Sequence, residues 1–85
     1  MYMKRTILIV DDDEAIRNTL VNILSNEYEV FTASNSKEAH DMLMSRQYMF
    51  SMMLVDVQMP VMDGPELIDI CHRNRFFSEI PIMAM

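Results

Sequence analysis

The residues able to do chemistry in this sequence are carboxylates, and three of them stand where short apolar runs end. Asp11 and Asp12 directly follow Ile7-Leu8-Ile9-Val10, and Asp13 and Glu14 come next. Asp56 directly follows Met52-Met53-Leu54-Val55. If the two runs are neighbouring parallel strands, about 4.8 Å apart, their carboxylates emerge at one edge of one sheet. Three acids in a shallow cleft repel one another, and such a cluster either raises a pKa or recruits a cation. Ligands that are all oxygen favour a hard ion, so Mg²⁺ with retained waters is the natural candidate. The backbone carbonyl of Gln58 could add a ligand. A carboxylate beside Mg²⁺ can also attack a phosphoryl group in line. Asp56 ends the middle buried strand and suits the nucleophile. Asp11 and Asp12 lie at a strand-to-helix turn and suit metal positioning. Spacing alone leaves the choice of nucleophile open, and Asp11-Asp12-Asp13 by itself reads equally well as a solvated acidic helix start.

Positioning such a cluster requires elements of a particular order. Ile7–Val10 is a continuous apolar run rich in β-branched residues, the mark of a strand buried on both faces. A helix is predicted from Glu14 to about Ser25, carrying Ala15, Ile16, Leu20, Ile23 and Leu24 at helical spacing. Glu29–Ala33 alternates polar and apolar, as a half-exposed strand near a sheet edge does. Asn35 or Ser36 caps a second helix with Ala39, Met42 and Leu43 inward. Met52–Val55 is the third strand. Pro65, after Gly64, suits the first turn of a third helix running to about Arg73, with Leu67, Ile68 and Cys71 on its apolar side. Ile80-Pro81-Ile82-Met83-Ala84-Met85 begins a fourth strand. The βαβαβαβ order predicts a doubly wound parallel α/β sheet of strand order 2-1-3-4, the first helix on one face and the next two on the other.

Composition narrows the classes. Eighty-five residues make one small domain, residues 1–85, with 51% hydrophobic and 24% charged residues. Seven basic against 13 acidic residues give a net charge of −6, which argues against a nucleic-acid surface on this segment. No apolar run is long enough to span a membrane. The opening Met1-Tyr2-Met3-Lys4-Arg5 leads straight into a strand and does not read as a signal peptide. A single cysteine, Cys71, excludes an internal disulfide and fits a reducing, cytoplasmic setting. A dinucleotide site or a P-loop would need a glycine-rich turn after the first strand. The turn here is Asp11-Asp12-Asp13, and the one glycine is Gly64.

These residues together resemble a known family. Ile7–Glu14, then Leu54-Val55-Asp56-Val57-Gln58-Met59-Pro60-Val61-Met62-Asp63-Gly64, then Ile80–Ala84, look like the receiver (CheY-like) domain of two-component response regulators, which has the flavodoxin-like topology. The resemblance covers all 85 residues. It implies a protein that accepts a phosphoryl group from a phosphohistidine of a sensor histidine kinase or histidine phosphotransfer protein. By the same resemblance Asp56 is the phospho-acceptor, Asp12 a direct Mg²⁺ ligand and Asp11 a water-mediated one. Gln58 supplies its carbonyl, and Met59, Pro60, Asp63 and Gly64 shape the loop over the site. Asp13 and Glu14, next to the acidic pair, are candidates for tuning access. Any catalysis is confined to the protein's own aspartyl phosphorylation and dephosphorylation.

The departures from the family pattern carry expectations of their own. The family's domain has five strands and five helices, and this sequence stops in the fourth strand, so it reads as the N-terminal two-thirds. The switch Ser/Thr after that strand and the lysine ending the fifth strand are absent from it. The expectation is that this segment alone phosphorylates on Asp56 poorly, if at all. Ser51 replaces the family's usual aspartate before strand three and reads as a surface or capping change. An open, uncharged strand-four edge predicts a homodimer or an exchange of elements between chains. A phosphorylation-deficient receiver acting only by protein contact is the alternative function. A phosphatase with an Asp-x-Asp nucleophile motif, which Asp11 and Asp13 match in spacing, does not account for Asp56 or for the Met-Pro and Asp-Gly loop. His40, His72 and Cys71 read as structural. The 11 methionines read as adaptable core.

Overall fold

The computed structural model describes residues 5–45, 49–56, 73 and 80–85. In chain order these form β1 (Arg5–Val10), α1 (Glu14–Leu24), β2 (Tyr28–Ala33), α2 (Ser36–Ser45), β3 (Met52–Val55) and β4 (Ile82–Ala84). The strands make one parallel sheet of order β2-β1-β3-β4, as the alternating pattern predicts. The predicted third helix lies outside the described residues, apart from Arg73, which is helical and exposed.

β1 is central because its four apolar residues cannot tolerate water on either face. Ile7, Leu8, Ile9 and Val10 are all buried, and they pair with Val30–Ala33 on one side and Met52–Val55 on the other. The connection from β1 to β2 steps one way across the sheet and the return from β2 to β3 steps the other. With right-handed crossovers, α1 and α2 must then lie on opposite faces. The α2 face holds the core: Leu8, Val10, Ala33, Ala39, Leu43, Phe50, Met53 and Val55 form one cluster. Phe31 meets Phe50 edge to face, ring centroids 6.0 Å apart at 78°. Full burial of the larger side chains, Leu8, Val10, Met53 and Val55, contributes about 1.5–3 kcal/mol each.

The caps are local. Asn35 Oδ1 accepts the Glu38 N–H at 2.8 Å, so Asn35 rather than Ser36 caps α2, and Ser34 Oγ donates back to Glu38 at 2.9 Å. Ser36 is instead fully buried in the first turn. Ser51 is exposed and its N–H donates to Thr6 O at 2.7 Å, which extends the β1–β3 pairing by one rung.

Two expectations need correction. β1 begins two residues earlier than the apolar run, because Arg5 and Thr6 pair with Tyr28 and Glu29 at the sheet end. β4 begins at Ile82, not Ile80: Pro81 has no N–H for the ladder, although its carbonyl accepts the Met53 N–H at 3.0 Å. The apolar positions of α1 form a stripe, yet none is buried; Ile16 is 44% and Ile23 65% exposed. On the sheet face that α1 covers, Ile9, Leu54 and Met83 are cross-strand neighbours in register. Burial falls along that row from complete at Ile9 to 58% exposure at Met83. Among the described residues, the helix shields the β1 side and leaves the β4 side open. A shallow depression of about 230 Å³ runs along Ala15, Ile16, Thr19 and Leu20.

Candidate phospho-acceptor and metal site

The carboxyl ends of β1 and β3 are adjacent, with Val10 opposite Val55. The next residue on each strand is therefore an aspartate at the same sheet edge. The Asp56 N–H donates to Val10 O at 2.9 Å, extending the ladder one residue past β3. The Asp11 N–H donates to Ala33 O at 3.1 Å and does the same toward β2. Both site residues thus leave the sheet from fixed backbone positions.

Asp11, Asp12 and Asp56 converge as the sequence predicts. One carboxylate oxygen from each lies within 4.8 Å of those of the other two. Asp11 is buried, Asp56 half-buried and Asp12 exposed, so the cluster opens to solvent on the Asp12 side. Asp11 Oδ1 accepts the Asp13 N–H at 2.8 Å. Its pKa lies above the ordinary carboxylate value, chiefly because burial disfavours the anion, with repulsion from Asp56, Asp12 and Asp13 adding to this; the Asp13 N–H opposes the rise. The donor set fits a hard divalent cation. Six oxygens at about 2.1 Å around Mg²⁺ stand about 3–4 Å from one another. The three carboxylates, within 4.8 Å of one another, could coordinate such an ion.

Two residues near the cluster have roles in holding the turn: the helix-start reading holds for Asp13, and Arg17 has a function the sequence does not reveal. Asp13, a candidate for tuning access, is the N-cap of α1: its Oδ1 accepts the N–H groups of Ala15 at 2.9 Å and Ile16 at 3.3 Å. Glu14 follows it as the acidic residue of the first turn. Arg17 folds back along α1 and donates from Nη1 to the Asp11 carbonyl oxygen at 2.7 Å. A cation in the early turns of a helix works against the helix dipole. That mismatch, next to an acidic turn, is the signal that could have singled Arg17 out. Gln58, Met59, Pro60, Asp63 and Gly64 lie outside the described residues.

A parallel sheet with an acidic cluster at its carboxyl edge defines a receiver-type α/β unit with a phospho-accepting kind of site. The chain belongs to the response regulator receiver domain family, whose model matches residues 7–85. It is 40% identical over 83 residues to the probable transcriptional regulator ycf27 of Pyropia yezoensis, covering 96% of this chain and 32% of the relative. It is 36% identical over 84 residues to the transcriptional regulatory protein SrrA of Staphylococcus aureus, covering 98% and 33%. The chain therefore spans about a third of the length of these curated relatives. Its fold matches that of the chemotaxis protein CheY4 of Vibrio cholerae with a TM-score of 0.87 at 30% identity, over 96% of this chain and 68% of that one. Among the described residues no helix is long and apolar enough to cross a membrane.

Proposed function

We propose that this chain, residues 1–85, is a receiver unit that takes a phosphoryl group onto Asp56 from a phosphohistidine of a partner histidine kinase or phosphotransfer protein. The observation that carries the proposal is the convergence of Asp11, Asp12 and Asp56 within 4.8 Å at one sheet edge. Asp12 and Asp56 would hold Mg²⁺ with the carbonyl of Gln58, and Asp11 would hold it through water. The bound ion supplies neutralisation of charge on the phosphoryl oxygens. An Asp56 oxygen forms the new bond to phosphorus as the phosphorus–nitrogen bond to the imidazole breaks. The electron pair of that bond stays on the imidazole nitrogen, which takes a proton from solvent. In a separate step water attacks the phosphorus of the aspartyl phosphate, and the bond from phosphorus to the Asp56 oxygen breaks, releasing inorganic phosphate and restoring the carboxylate. Met59, Pro60, Asp63 and Gly64 belong to the loop over this centre on the same reading. The phosphohistidine source and the lone Cys71 point to the cytoplasm.

The test is labelling with acetyl phosphate, read by intact mass and peptide mapping. The expected label is dependent on Mg²⁺, substoichiometric and confined to Asp56, and it is lost in Asp56→Asn. A label that persists in Asp56→Asn, or none under any condition, would overturn the assignment. The second reading is a receiver that acts by protein contact alone, dimerising through the β4 edge. The exposure of Met83 on β4 favours it, and it gains if labelling fails while the chain self-associates.

A further inference from the structure

The backbone around the acidic turn is held at more points than a strand-to-helix turn requires. The Val10 carbonyl accepts from Asp56, and the Asp11 N–H donates to Ala33. Asp11 Oδ1 takes the Asp13 N–H. These bonds fix Asp11 and close a turn from Asp11 to Asp13 around the Asp11–Asp12 peptide, whose carbonyl oxygen remains to be held. That peptide decides where the exposed Asp12 carboxylate points. Its carbonyl oxygen is the atom that Arg17 Nη1 reaches, six residues along the chain and at 2.7 Å. Arg17 is itself anchored, since its own N–H donates to Asp13 O at 3.0 Å as α1 begins.

We propose that Arg17 is a positioning residue of the metal-binding turn. By clamping the Asp11 carbonyl it holds the Asp11–Asp12 peptide in the orientation that lets both carboxylates meet Asp56. The inference rests on the receiver reading above and adds to it a residue that touches neither ion nor phosphoryl group. Two effects of Arg17 on Mg²⁺ oppose each other in sign. As a nearby cation it repels the ion, so its removal should tighten binding. As a clamp it preorganises ligands, and removing a partner that orients a ligand typically weakens metal affinity by about tenfold or more. A short, charge-assisted bond to the backbone of a buried ligand favours the clamp.

Two variants separate bond from charge. Arg17→Lys keeps the charge, but its stem ends one bond short of Nη1 and lacks the planar fork. Arg17→Met keeps the stem and loses both. Both are compared with the 85-residue chain, isotope-labelled, by amide hydrogen exchange without metal and by MgCl₂ titration of amide shifts. The expected result is about tenfold weaker Mg²⁺ affinity in both variants. The Asp12 and Asp13 amides should exchange several-fold faster, with those of Leu43 and Val55 unchanged. Wild-type affinity in Arg17→Lys with tighter binding in Arg17→Met would assign Arg17 a charge effect only and overturn the clamp. If Arg17→Met does not fold, Arg17→Lys decides alone. If the unaltered chain shows no response to MgCl₂, the metal reading fails, and exchange at Asp12 and Asp13 still decides whether Arg17 holds the turn.

Discussion

Replacing Asp11 with asparagine should stabilise the metal-free protein and reduce what Mg²⁺ adds to it. Two unit charges 4.8 Å apart, the outer limit of the cluster, repel by about 0.9 kcal/mol in water and by about 3.5 kcal/mol at an effective dielectric constant of 20. The exposed Asp12 places its share near the lower figure. The half-buried Asp56 places its share between the two. Against this relief stands the bond from the Asp13 N–H, which weakens by about 1 kcal/mol when its acceptor becomes neutral. The net gain is about 1–2 kcal/mol, or roughly 5–15 °C in Tm for a domain of this size. The pH dependence has a defined sign. Because the Asp11 pKa is raised above 3.8 in the folded state, folded protein holds a proton that unfolded chain releases. Stability therefore falls as pH rises from about 3.8 through the raised value, and the penalty is complete above it. Asp11→Asn should lack this component. Mg²⁺ at ten times its Kd adds about 1.4 kcal/mol to a protein that binds it only when folded, and Asp11→Asn should gain much less. Thermal melts in EDTA and in MgCl₂ across pH 4–8 measure both effects. A variant that melts below wild type in EDTA, or gains as much from Mg²⁺, would refute the reasoning.

Three further outcomes follow from the same contacts. Asp13→Ala removes the acceptor for the Ala15 and Ile16 N–H groups and should cost about 1 kcal/mol, read as a lower midpoint in urea; an unchanged midpoint would show that the cap contributes nothing. Leu8→Ala empties a site with 0% exposure at the centre of the core and should cost about 2–5 kcal/mol, enough to leave much of a marginal domain unfolded by circular dichroism. Met83, 58% exposed on the edge strand β4, is the place where one charge should act most on association. Sedimentation at tens of micromolar should show self-association of the chain and its loss in Met83→Lys; a wild-type monomer would remove the edge as a contact surface.

What the sequence discloses depends on the range of the interaction. β3 is read to the residue, Met52–Val55, because polar Ser51 and Asp56 bracket an unbroken apolar run. The convergence of Asp11, Asp12 and Asp56 is legible for the same reason: strand ends and sheet order place them together before any side chain is considered. The start of β4 is less legible. Proline removes a donor but leaves an acceptor, and Pro81 pairs through its carbonyl while the strand begins after it. Asp13 carries no mark that tells a cap from a ligand; that depends on where its side chain turns. The Arg17 bond to Asp11 joins a side chain to a backbone atom six residues away, a spacing no periodic pattern reports. Amphipathic spacing told which side of α1 is apolar; the extent of its cover is set by packing across the sheet.

Two costs therefore fall on the same sheet. At its carboxyl edge, three like charges are held together, one of them buried. Across the face under α1, burial runs out from Ile9 to Met83. Neither feature helps a small domain fold, and the cluster packed under α2 must offset both. A structure whose stability is concentrated on one face makes its other two surfaces responsive: whatever neutralises the edge or covers the α1 face adds directly to the folded state. Those surfaces also share a part. α1 starts at the acidic turn through Asp13, reaches back to Asp11 through Arg17, and presents Ile16 and Leu20 two turns later or less. The charge held at the turn and the exposed apolar side of α1 therefore belong to one element.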